Sequence, residues 1–191
     1  MLEKELIEAF PGNENDIIYS NPRRTYMDLI LLGKKYNLQD DQKDLFKVIA
    51  DYKKSGVWAF WGETDQGLRC LEVAETKDIF NELLTDLKLI ANSGSVKKSV
   101  EKYKARKLFD FSIRFPVYVG ETRRKAKYRD IAETYDVLRL EIVVDDSFND
   151  PEERKEFECK YAVKNRALYW NAFGHQRKEA TRLYEEIRAS S

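Results

Sequence analysis

The chain holds two cysteines, one histidine, four prolines and eight glycines in 191 residues, and each scarcity argues against a class of function. Cys70 and Cys159 lie far apart and in no metal-ligand spacing. That speaks against a structural zinc site or a disulfide scaffold and for two buried or idle thiols in a reducing compartment. His175, the one histidine, sits beside Gly174 at a helix boundary, where a capping or surface place is expected. Histidine relays and multi-histidine metal centres drop out. No apolar run approaches the roughly 20 residues that span a bilayer, and the acidic start (Glu3, Glu5, Glu8) is unlike a signal peptide. A cytoplasmic protein with no membrane partner is the expectation. There is no glycine-rich phosphate loop and no Ser-His-Asp or Cys-His pattern of convincing spacing. Net charge is zero, which removes the simplest argument for nucleic-acid binding.

What is present is a foldable, heavily charged chain. Its 42% hydrophobic and 13% aromatic content argues against wholesale disorder, and its length suits one main domain with an appendage. The zero net charge conceals a segregation. From Lys97 to Arg129 twelve Lys/Arg face three acids, and from Asp130 to Lys160 eleven acids face four Lys/Arg. Two readings stand side by side: a solvated or mutually neutralising surface, or a phosphate-tracking groove carried by Lys104, Arg106, Lys107, Lys125, Lys127 and Arg129.

Periodicity divides the chain at about residue 54. Residues 1–54 read as a helical extension: a short helix through Leu2, Leu6, Ile7 and Phe10, then a pair over about Thr25–Tyr36 and Asp40–Lys54. Such a pair suits a DNA-reading helix-turn-helix or plain core packing. Residues 55–191 read as an α/β domain of the α+β kind, a small mixed or antiparallel sheet flanked by helices. Val57–Trp61 and Leu68–Val73 form a hairpin across Gly62–Gly67, with Trp58 and Trp61 on opposite faces. A helix capped by Thr76 or Asp78 follows, with Ile79, Phe80, Leu83, Leu84, Leu87 and Ile90 buried. A strand over Leu108–Val119, interrupted at Pro116, a helix over Thr122–Tyr135 and a strand over Val137–Val144 come next. Asp150-Pro151-Glu152-Glu153 opens a helix expected to reach about Trp170. Ala180, Leu183, Tyr184 and Ile187 make a last amphipathic helix.

The order of these pieces resembles the GIY-YIG nucleases. Gly56-Val57-Trp58 and the strand ending Cys70-Leu71-Glu72-Val73-Ala74 stand where that family carries its two signature tripeptides, on a hairpin before a helix. Glu158 and Asn171 match the family's later glutamate and asparagine in type and spacing. The resemblance covers about Gly56 to Asn171. It implies the family's fold, a single Mg²⁺ held by Glu158, and phosphodiester cleavage of nucleic acid. Four positions depart from it. Trp58 replaces the first tyrosine, Glu72 the second, Ala74 its glycine, and Glu82 the arginine that clamps phosphate. An indole is no base at ordinary pH, and an acid repels phosphate. A rival alignment puts the second signature at Tyr118-Val119-Gly120, with Arg123, Arg124 or Arg129 as the phosphate clamp; an active enzyme would then use Tyr118, Arg123 or Arg124, and Glu158 as catalytic residues.

Three functions follow from these patterns. The first is a nuclease-derived, catalytically degenerate module that binds nucleic acid or a nucleic-acid-processing protein. The second is an active Mg²⁺-dependent endonuclease. The third is a phage or mobile-element inhibitor acting by protein contact, with Asp145, Asp146, Glu152 and Glu153 mimicking a nucleic acid.

Overall fold

The computed structural model describes residues 23–30, 49–91, 100–102 and 115–190. Six strands and four α-helices are named here in chain order. The strands are β1 (Arg23–Ile30), β2 (Gly56–Thr64), β3 (Gly67–Thr76), β4 (Val100–Lys102), β5 (Pro116–Tyr118) and β6 (Val137–Val144). The helices are α1 (Ile79–Ala91), α2 (Arg123–Thr134), α3 (Pro151–Lys164) and α4 (Arg177–Ala189).

β1, β6, β2 and β3 form, in that order, a wholly antiparallel sheet; β4 and β5 form a separate two-stranded ladder. The fold is thus α+β, an antiparallel sheet flanked by helices. β2 explains the sheet's layering. Its sequence GVWAFWGET has no polar face because both faces are covered. Trp58 and Phe60 enter one core with α1 and α2, while Val57, Ala59 and Trp61 enter a second core with α3 and α4. The two tryptophans therefore lie on opposite faces, as period-two alternation requires. β6 obeys the same rule, sending Leu138, Leu140 and Ile142 into the first core and Val143 into the second.

Two sequence expectations need correction. Over Thr25–Ile30 the expected helix is a strand: Thr25 pairs with Ile142 and Leu29 with Leu138 of β6. Arg24 and Tyr26, two residues apart, both turn towards Glu141, whereas Thr25 meets the Tyr52 hydroxyl and Leu29 enters the first core. Six residues are too few to separate the helical period from the strand period, and β6 supplies the partner that decides between them. β1 accordingly completes the same sheet as residues 55–191, so a helical extension ending at 54 does not stand as a separate unit. Ile49 and Ala50 are helical, but residues 51–54, expected to continue that helix, form a turn and bend instead; residues 1–22 and 31–48 lie outside the described residues.

Secondly, α3 stops at Lys164, six residues short of expectation. Arg166 N–H bonds the Val163 carbonyl and Ala167 N–H bonds that of Ala162, with Arg166 at φ 52°. This is a left-handed helix cap made without glycine, which is why the sequence did not announce it. Of the strand anticipated over Leu108–Val119, Pro116–Tyr118 is a strand, and residues 108–114 lie outside the described residues.

The other helix starts follow their sequence signals. Asp78 Oδ1 accepts from Asn81 N–H at 3.0 Å, Thr122 accepts from Lys125 N–H, and Asp150 caps α3 with Pro151 in its first turn. Cys70 and Cys159 are both free and buried. Among the described residues no helix is long and apolar enough to cross a membrane.

Candidate functional site

The site begins with an irregularity in β3. Trp61 pairs with Cys70 but Phe60 pairs with Glu72, so Leu71 is an extra residue and β3 bulges there. Directly opposed residues share a face. Glu72 therefore points with Phe60 towards α1 and α2, and Leu71 joins the same core; Cys70 and Val73 face the other way. Unbroken alternation from Cys70 would have sent Glu72 to the α3 side. The bulge re-aims it.

Glu72 opens into a cleft of about 370 Å³ at the β3 edge of the sheet. Trp58, Glu72 and Ala74 come from the hairpin, Glu82 and Asp86 from α1, Arg123, Arg124 and Lys127 from α2, and Glu158 from α3. The segment after α3 closes one end. Leu168 N–H bonds the Cys70 carbonyl and Tyr169 N–H bonds that of Leu71 at 2.7 Å, covering the outer edge of β3. Trp170, Asn171 and Phe173 then line the cleft. The early stop of α3 makes this return possible.

Charges inside the cleft are cross-linked. Arg124 Nε donates to Asp86 Oδ1 at 2.6 Å, and its Nη2 lies 3.7 Å from Glu82. Lys127 Nζ lies 2.9 Å from Glu72 Oε2. Burial pushes the Glu72 carboxyl up to about 7 against the pull of Lys127. Burial likewise raises Glu158 to about 7, although Trp170 Nε1 donates to its Oε1 at 3.0 Å and Gln176 Nε2 to its Oε2 at 2.7 Å. Glu82 is raised for the same reason. The Trp58 indole is 1% exposed, and its Nε1 has no acceptor among the described residues.

The structure thus gathers Trp58, Glu72, Ala74, Glu82, Glu158 and Asn171, the positions of the first alignment, together with Arg123 and Arg124 of the second. Tyr118 is not among the residues lining the cleft. Its ring lies beneath the Arg129 guanidinium at 4.3 Å. Arg129, expected to contact nucleic acid, is 1% exposed and bonds Glu121, Glu133 and the Pro116 carbonyl. It is an internal strut, because a guanidinium can be buried only where its donors are met. Lys125 is half-buried outside the cleft, and Lys104, Arg106 and Lys107 lie outside the described residues. Asp145 and Asp150 are occupied as caps, and Glu152 pairs with Lys155 at 2.7 Å.

Three participants, Asp86, Phe173 and Gln176, are not singled out by the sequence patterns. Asp86 falls on the apolar stripe of α1 beside Leu83, Leu87 and Ile90, and an acid in such a stripe is a signal in itself. Gln176, which fixes Glu158, carried none.

Glu158 fits a resident Mg²⁺ poorly. Each of its oxygens already accepts an N–H, and its raised affinity for a proton competes with a cation. Among the described residues no three His, Cys, Asp or Glu side chains group as metal ligands. No protein-family model, curated protein or solved structure matches the chain.

Proposed function

We propose that this chain is a nucleic-acid-binding module on a GIY-YIG-like frame that holds its ligand without cutting it. The observation carrying this reading is convergence. Residues that the resemblance singled out on β2, β3, α1 and α3, separated by up to a hundred positions, line one cleft. The sheet arrangement supports it as well, with the first hairpin strand central between its partner and the strand preceding the glutamate-bearing helix.

The altered residues determine what the cleft does. Trp58 and Glu72 replace two phenols, so neither tyrosine hydroxyl is available to assist an attacking water. Glu82 replaces a cation, but Arg123, Arg124 and Lys127 enter from α2 and restore positive charge on the adjacent wall. A guanidinium has five N–H donors, and Asp86 and Glu82 leave several of Arg124's for phosphate. Glu72 and Glu158, both titrating near 7, are partly neutral at neutral pH and repel an anion less than two full charges would.

Fluorescence anisotropy with labelled DNA and RNA at about 50 and 200 mM salt tests the proposal, because phosphate contacts release counterions. Binding that weakens with salt, without nicking in Mg²⁺ or Mn²⁺, is expected. No binding to any nucleic acid at low salt would reject it. Metal-dependent nicking abolished by Glu158→Ala would replace it with the enzyme.

A further inference from the structure

Among the described residues Trp58 Nε1 is a buried side-chain donor with no acceptor. An N–H buried without an acceptor is destabilising, yet this one belongs to a side chain lining an open cleft. The chain's other two indoles are satisfied, Trp61 by Glu141 at 2.9 Å and Trp170 by Glu158 at 3.0 Å. The same cleft holds Phe173, 69% exposed. A lone exposed aromatic ring is ordinary on a protein surface. Its placement in one cleft with three cations and a buried, unmatched donor is not.

We infer that the cleft accepts a single nucleoside phosphate unit with an unpaired base: the base stacks on Phe173, the phosphate lies among Arg123, Arg124 and Lys127, and an acceptor oxygen of the ligand meets Trp58 Nε1. This rests on the nucleic-acid reading above and narrows it from nucleic acid in general to one unpaired nucleotide. A volume of about 370 Å³ is near the lower end for ligand sites, which suits one small ligand unit. One exposed ring offers one stacking platform. The ligand's source is either a free nucleotide or a nucleotide of a single strand.

The test uses ¹⁵N-labelled full-length chain, whose three tryptophans give three indole N–H resonances. Nucleoside 5′-monophosphates, single-stranded octamers and a blunt duplex are titrated in turn. The Trp58 resonance should move most, assigned by Trp58→Phe or, should that variant not fold, by elimination with Trp61→Phe and Trp170→Phe. Octamers should bind more tightly than duplex, and Phe173→Ala should weaken octamer binding at least about fivefold, the lower end of base stacking on an aromatic ring, with an unchanged melting temperature. Monophosphates binding as tightly as octamers would identify a free nucleotide; tighter octamers would identify a strand. Both support the inference. Duplex binding that equals octamer binding, is indifferent to Phe173→Ala and leaves the Trp58 resonance still would overturn it while the broader proposal stood. Absence of binding to all three would overturn both.

Discussion

Arg124 donates its Nε–H to Asp86 Oδ1 at 2.6 Å and so fastens α2 to α1 across one wall of the cleft. The two partners are unequal: the Asp86 side chain is 1% exposed and that of Arg124 45%. Arg124→Ala strands a carboxylate in the interior, whereas Asp86→Asn leaves a guanidinium that water can reach and an amide oxygen that can still accept from it. Loss of one partner of a buried pair costs about 3–5 kcal/mol, and the exposure of Arg124 reduces that to about 2 kcal/mol here. Urea denaturation should find Arg124→Ala clearly less stable than Asp86→Asn. Equal stabilities would mean that the pair does not hold the helices together.

Glu158 makes stability depend on pH. Its carboxyl titrates near 7 in the folded chain against an ordinary value of 4.5, so the folded state binds the proton more tightly than the unfolded one. The resulting stabilisation is complete below about pH 4.5 and is lost as pH rises through about 7. Glu158→Gln, which cannot ionise, should remove on the order of 1–3 kcal/mol of that decline. Denaturation curves at pH 5, 6, 7 and 8 would show it, and a variant with the wild-type slope would contradict the assignment.

Gly56 is fixed by crowding at the start of β2. A Cβ there would lie 2.6 Å from both Ile79 Cδ1 and the Val143 carbonyl oxygen. The isoleucine can turn aside, but the backbone of β6 cannot. Gly56→Ala should therefore destabilise by about 1–3 kcal/mol, as overpacking does. A melting temperature at or above wild type would show that β6 yields.

Arg166 presents the opposite case. Its φ of 52° is unfavourable for any residue with a Cβ, and its side chain is exposed. Arg166→Gly should raise stability by about 0.5–1 kcal/mol, the relief of left-handed strain less the extra freedom of the unfolded chain. Calorimetry would register a rise of a few degrees. A fall would mean that the arginine side chain contributes more than its exposure indicates.

Features legible in the sequence were those decided by neighbouring residues. The hairpin, the caps at Asp78, Thr122 and Asp150, and the stripe of α1 each follow from a dozen residues or fewer. β1 was not legible, because Arg23–Ile30 becomes a strand only when β6 lies alongside it. The end of α3 was hidden by an arginine doing a glycine's work. At the site, the sequence singled out Trp58, Glu72, Glu82 and Glu158 one at a time, but the bulge at Leu71 that aims Glu72 has no glycine to mark it. Arg123 and Arg124 belonged to an alternative alignment and Lys127 to the basic run; the fold brings all three to the same cleft. Arg129 shows the converse, a residue counted in a basic run whose charge is spent internally on Glu121 and Glu133.

The sheet order has a consequence for how the chain reaches its folded state. β6 lies between β1 and β2, although it follows both by many residues. During synthesis β1 emerges first and has no strand to pair with, while β2, β3 and α1 can form early from local contacts. The inner edge of β2 then stays open until β6 is made. Pairing of distant segments is slow, and open strand edges invite association with other chains. A ribosome-bound chain halted between α2 and β6 would be the species most in need of a chaperone, and the insertion of β6 would be the step that closes both exposed edges at once.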